Sequence, residues 1–170
     1  MAEMDLQNAV VVALGSNLPG PYGSSEALLE AALARFPQVG LKILARSSWW
    51  RSAAWPDPDG PEYRNGVALV EANAGPAGVL AALLRLEAEM GRDRGARNAP
   101  RTLDLDLIAH GRDVVDGPGL ILPHPRAHDR LFVMGPLAEI APGWVHPVLG
   151  ATAAELAASA RIGRDATPAP

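Results

Sequence analysis

Two hydrophobic rhythms alternate along the chain. Val10-Val-Val-Ala-Leu14 is a short β-prone apolar run that stops at the turn-prone Gly15-Ser16-Asn17. Beyond a proline- and glycine-rich stretch, Leu28, Leu29, Ala32, Leu33 and Phe36 recur at helical spacing. Ser24 or Ser25 is placed to cap that helix, and Pro37 ends it. Leu41, Ile43 and Ala45 alternate with Lys42, Leu44 and Arg46, which predicts a second strand reaching as far as Trp50. Ala53 to Pro61 has loop composition, and Tyr63 to Glu71 reads as a third strand. Gly75-Pro76 opens a second helix with the stripe Val79, Leu80, Leu83, Leu86 and Met90, and Gly91 closes it. Thr102 to Ala109 is the fourth strand, with Leu103, Leu105 and Leu107 on one face.

The order β-α-β-β-α-β predicts an α+β, ferredoxin-like antiparallel sheet with its helices packed on one face. Appended to it are a hairpin around Asp113–Leu122, a helix from about Arg126 to Ile140 and a short helix near Thr152. Thr152 and Glu155 have capping-box spacing for the last of these. Residues 1–160 are expected to form a single domain, with residues 161–170 a frayed, proline-tipped tail.

Composition narrows the chemistry. At 170 residues, one domain buries roughly 70% of its unfolded surface and needs no staple. The chain has no cysteine, which excludes thiol catalysis, cysteine-ligated metals and disulfides. Lys42 is the only lysine and follows leucine, so there is no Walker-type phosphate loop. A net charge of −4 disfavours non-specific nucleic-acid binding. No apolar run near the start approaches a membrane span, and the acidic start does not read as a secretory signal. A cytoplasmic protein is expected.

The informative segment is Arg92 to Ile108. Strand alternation turns Asp104 and Asp106 to one face while their leucine neighbours face the core. Such a pair is either the solvated face of an amphipathic strand or a clamp for magnesium, which is commonly held by one or two carboxylates plus substrate phosphates. Arg92, Arg94, Arg97 and Arg101 precede it in a glycine-punctuated stretch that reads as a mobile loop. Their guanidinium forks match phosphate oxygens. Together these suit phosphoryl transfer. His124 and His128 have helical spacing, but flanking Pro123 and Pro125 keep them from sharing a helical face as zinc ligands. Asn65 reads equally as a surface polar residue of its strand. Trp49, Trp50 and Trp55 read as core, as a stacking surface or as both. Glu87 is most simply a helix-surface carboxylate.

The stretch Arg97-Asn-Ala-Pro-Arg-Thr-Leu-Asp-Leu-Asp-Leu-Ile108 resembles the signature of the 6-hydroxymethyl-7,8-dihydropterin pyrophosphokinase family. Leu14-Gly-Ser-Asn17, Tyr63-x-Asn65, Glu87-x3-Gly91-Arg92-x-Arg94 and Pro123-His124 with Arg130 and Phe132 resemble further family segments in the same order, covering about Val10 to Leu149. Asn98, Pro125 and Ser52-Ala53-Ala54 depart from the commoner pattern. The resemblance implies a single pyrophosphokinase domain that moves the terminal pyrophosphoryl group of ATP to the dihydropterin alcohol, releasing AMP. It implies that Asp104 and Asp106 hold two magnesium ions, and that Arg92 and Arg101 sit on the phosphates, Arg92 carried in by a Gly91–Ala99 lid. Tyr63 and Phe132 would stack on the pterin, with Trp55 nearby and the Asn65 amide on its polar edge. Glu87, Arg94, His124 and Arg130 would face the nucleotide. A monomer with small-molecule partners, and with neither nucleic acid nor membrane, is implied.

Two other readings fit the bare pattern. One is a non-catalytic ferredoxin-like binding domain, although an RNA-recognition sheet wants aromatic and basic residues where the fourth strand offers aspartates. The other is a different metal-dependent phosphoryl enzyme, a nuclease or phosphatase, using the same carboxylates.

Overall fold

The computed structural model describes residues 6–17, 20–54, 59–90 and 103–170. The first strand, β1 (Val10–Ser16), is buried along its whole length, as an apolar run with no polar face requires. The helix α1 (Ser25–Arg35) follows, its Ser24 hydroxyl accepting from the Ala27 amide at 3.0 Å. The predicted second strand is split into β2 (Leu41–Arg46) and β3 (Trp50–Ser52). Both pair with the ten-residue β4 (Tyr63–Ala72), β2 along Ala68–Ala72 and β3 along Tyr63–Asn65. Next come α2 (Pro76–Glu89), opened by proline in its first turn, and β5 (Asp104–His110). The hairpin is β6 (Val115–Gly117) and β7 (Leu120–Leu122).

The expected Arg126–Ile140 helix is also broken. A 3₁₀ turn, Ala127–Asp129, gives way at extended Arg130 to α3 (Leu131–Ile140). Then α4 (Ala153–Ser159) carries the full Thr152–Glu155 capping box. The last strand is β8 (Thr167–Pro168), which pairs with β3. Residues 161–170, expected to fray, therefore lie against the sheet, held by backbone bonds that periodicity does not register.

The main sheet is antiparallel in the order β5-β1-β4-β3-β8, with β2 also on β4. This is the ferredoxin-like arrangement. Leu28, Phe36, Leu83 and Leu86 of α1, its C-cap and α2 pack with Val12, Leu14, Leu105 and Leu107 on one face. The appended helices are not peripheral: Met134, Leu137 and Leu156 join Val11, Ala13, Val67 and Leu69 on the other. Helices thus cover both faces, and the sheet end where β1 stops and β4 and β5 start is where the polar residues gather.

Candidate active site

The ladder fixes which side chains share a face. Gly15 pairs with both Asn65 and Asp104, and Ala13 pairs with both Val67 and Asp106. Paired residues point to the same side of a sheet, and alternate residues of one strand do too. Asp104, Asp106, Asn65 and Tyr63 therefore stand on the α3 face, at one end of three adjacent strands. Leu103, Leu105 and Leu107 fill the opposite core, so the alternation read from sequence holds. Asp104 is half-buried and Asp106 exposed.

The carboxylates sit on an edge strand whose free side is held at two points. The amide of Leu105, between them, donates to Glu87 Oε2 at 2.9 Å. Glu87 is only 6% exposed, so the helix-surface role is corrected: its position beside the Leu83–Leu86 stripe turns it inward onto β5. Further along, the His124 amide donates to the Ile108 carbonyl at 2.8 Å, just after the cis Leu122–Pro123 bond. This bond to β5 brings His124 into the field of Asp106. Burial lowers the imidazole pKa, the Asp106 carboxylate counters part of the fall, and Arg130, Arg126 and His128 add to it.

Asn65 is buried, with its amide donating to Ser52 Oγ at 3.3 Å. A side chain at Gly15 would place its Cβ 2.8 Å from Asn65 Oδ1, so glycine there leaves the amide its room. Ser52 is a partner that no spacing rule points to. Trp49 and Trp50 straddle the sheet. Trp49 lies on Gly66, with its indole N–H on Glu30 of α1 at 2.9 Å. Trp50 lies on Gly135, with its indole N–H on Glu139 of α3 at 3.1 Å. Both are packing residues. Phe132, in the first turn of α3, is half-buried, and the Arg130 guanidinium lies 5.8 Å from its ring centroid. Trp55, Arg92, Arg94 and Arg101, with the Gly91–Ala99 stretch, lie outside the described residues.

Among the described residues no three or more His, Cys, Asp or Glu side chains gather as a protein-only metal cage. The donor set is two carboxylates on one open face, hard oxygen ligands that leave the remaining positions of an octahedral ion to water and substrate oxygens. That suits magnesium.

Comparison with known proteins identifies the family. The family model for 7,8-dihydro-6-hydroxymethylpterin-pyrophosphokinase matches residues 11–142. The chain is 41% identical over 150 residues to the 2-amino-4-hydroxy-6-hydroxymethyldihydropteridine pyrophosphokinase of Synechocystis sp., covering 88% of this chain and 74% of that protein. It is 41% identical over 133 residues to the enzyme of the same description from Pseudomonas aeruginosa, covering 78% and 80%. A folic acid synthesis protein of Pneumocystis carinii is 35% identical over 142 residues, 84% of this chain but 19% of that protein. The crystal structure of wild-type Plasmodium falciparum HPPK-DHPS matches with a TM-score of 0.69 at 12% identity, over 89% of this chain and 44% of that one. That likeness is one of fold, and the chain spans less than half of that solved protein.

The protein is accordingly an enzyme of the transferase class, a diphosphokinase. The chain belongs to the 7,8-dihydro-6-hydroxymethylpterin-pyrophosphokinase family.

Proposed function

We propose that the enzyme transfers the terminal pyrophosphoryl group of ATP to the hydroxymethyl oxygen of 6-hydroxymethyl-7,8-dihydropterin in folate synthesis, releasing AMP. The observation that carries this reading is the placement of Asp104, Asp106, Asn65 and Tyr63 on one face at one sheet end. A flat heterocycle needs apolar faces and a few placed hydrogen bonds. Tyr63 and Phe132 supply the faces, Trp55 adds to the slot by its sequence position, and the buried Asn65 amide, oriented by Ser52, reads the polar edge. Asp104 and Asp106 would hold two magnesium ions, which would supply neutralisation of the triphosphate charge.

In the reaction the alcohol oxygen attacks the β-phosphorus of ATP. The bond from that phosphorus to the α,β-bridging oxygen breaks, AMP leaves with the oxygen, and the alcohol proton passes to solvent. Arg92 and Arg101 engage the phosphates through their guanidinium forks. Glu87 contributes by fixing the strand that carries the aspartates. By family likeness, His124, Arg130 and Arg94 serve the nucleotide. A half-buried His124, its pKa lowered chiefly by burial, can offer a ring N–H to a phosphate oxygen without needing to be charged.

Among the described residues no helix is long and apolar enough to cross a membrane. We take the protein to act as a monomer in the cytoplasm, on small molecules alone. The test is incubation with ATP, Mg²⁺ and the pterin alcohol, with AMP as the readout. AMP that appears only when all three are present supports the reading. Phosphate or ADP released without pterin would replace it with a hydrolase, and no nucleotide product would leave a binding domain.

A further inference from the structure

The segment after α4 lies beyond the residues matched by the family model, yet it bridges α3, which carries Phe132, and β3, whose Ser52 pairs with Tyr63 at the start of β4. At one end it grips the start of α3. The Leu131 amide, one of the orphan donors of a helix first turn, donates to the Ile162 carbonyl at 2.9 Å, and Arg130 supplies no side-chain cap. The Arg161 guanidinium pairs with Asp129 at 2.9 Å, and the Arg161 and Ile162 amides both donate to the Asp129 carbonyl. At the other end it grips β3. Pro168 pairs with Trp50, Thr167 with Arg51, and the Ala169 amide donates to the Trp49 carbonyl at 2.8 Å. Between these grips, the Asp165 carboxylate accepts from the Ala53 amide at 2.6 Å, where the chain leaves β3 next to the Ser52–Tyr63 pair.

Gly163 is the closest point of approach. Its φ is +69°, and a Cβ there would lie 2.5 Å from Phe132 Cδ1 and 3.0 Å from Cε1. Only glycine lets the backbone pass beneath that ring. The strap buries little apolar surface: Ala166 is covered, while Ile162 is 49% exposed. Its contacts are therefore concentrated on placement of neighbours more than on holding the domain together.

We propose that residues 161–169 are a positioning element for the pterin slot: Gly163 seats the Phe132 ring, Asp165 holds the chain beside Tyr63, and the strap thereby sets pterin affinity. The inference rests on the assignment of Phe132 and Tyr63 to the pterin. Gly163→Ala displaces the ring from its seat. Asp165→Ala frees Ala53, whereas Asp165→Asn keeps an oxygen acceptor for its amide.

Steady-state kinetics in both substrates, calorimetry of pterin binding beside a non-hydrolysable ATP analogue, and thermal melting of parent and variants test this. Gly163→Ala is expected to raise the pterin KM and Kd about tenfold, with kcat and the ATP KM within about twofold of the parent. Asp165→Ala should raise them about threefold, and Asp165→Asn should restore parental values. If Gly163→Ala fails to fold, the Asp165 pair decides. Unchanged pterin KM in folded variants overturns the proposal while leaving the pyrophosphokinase reading intact. So does a loss of kcat and of both affinities in step with Tm, which is the mark of a merely structural strap. A parent protein that neither binds the pterin nor forms AMP refutes the reading itself, and the strap's role falls with it.

Discussion

The Leu105 amide donates a 2.9 Å hydrogen bond to the buried Glu87 carboxylate, at the free edge of the strand and between the two aspartates. An edge strand leaves alternate amides unpaired, and here a helix side chain takes the place of a neighbouring strand. Charge-assisted bonds of this kind are among the stronger ones. Glu87→Ala leaves the Leu105 amide without this acceptor, which costs about 1–3 kcal/mol, and it loosens the strand that positions Asp104 and Asp106. Lower Tm and lower kcat together are expected. Glu87→Gln keeps an oxygen facing the amide and should retain most of both. Melting curves beside turnover rates for the two variants check this.

Asp104 and Asp106 point away from the leucine core, so their removal should spare the fold. Asp104→Ala or Asp106→Ala is expected to lower kcat by about 10²-fold or more, by analogy with loss of a main charge-stabilising group. Circular dichroism should be unchanged. Chelation of divalent ions should abolish AMP formation in the parent, and excess Mg²⁺ should restore it. A variant with parental turnover would remove its carboxylate from the metal clamp.

Gly66 lies under the Trp49 indole, where a Cβ would come within 2.5 Å of the ring. That indole is held on its other side by Glu30, and the Arg46 guanidinium stacks 4.9 Å from its ring centroid. With the ring pinned, Gly66→Ala is an overpacking change expected to destabilise the protein by about 1–3 kcal/mol. Trp49 fluorescence should shift as the indole leaves Glu30. Chemical denaturation of parent and variant measures the loss.

Patterns confined to one element are legible in the sequence alone. The β1 run, the α1 and α2 stripes, the Thr152 capping box and the shared face of Asp104 and Asp106 all follow from local periodicity. What periodicity does not reveal is decided by partners distant in sequence. β4 is long enough to take β2 and β3 on one edge, which splits the expected second strand at Ser47–Trp49. β8 has no apolar rhythm and exists because β3 offers it an edge. The helix expected from Arg126 breaks because Arg130 takes up extended backbone where Ile162 bridges to it. In the site, the strands and α3 place Tyr63, Asn65 and Phe132, but their substrate roles rest on family likeness. Ser52 escapes any reading of spacing, since a cross-strand partner has no sequence signature. Glu87 gives one faint signal, a carboxylate directly beside a buried stripe.

His146 links stability to acid. It is 5% exposed, and its Nδ1 accepts from the Val148 and Leu149 amides at 3.2 and 3.0 Å, which requires that nitrogen to be unprotonated. Burial, then His128 and Arg112, push its pKa down to about 4 from the usual 6.5. The folded state thus binds its proton less readily than the unfolded chain, and between those two values unfolding takes up protons. The sign follows: the contribution is fully present above pH 6.5 and is lost as pH falls toward 4. Lowering the pH from 7 to 5 should cost about 1–2 kcal/mol through this one residue, or about 2–8 °C in Tm. His146→Asn keeps an acceptor for the two amides without a titrating ring. Its Tm should therefore fall less than the parent's over the same interval. Equal slopes for the two proteins would show that another group governs acid sensitivity.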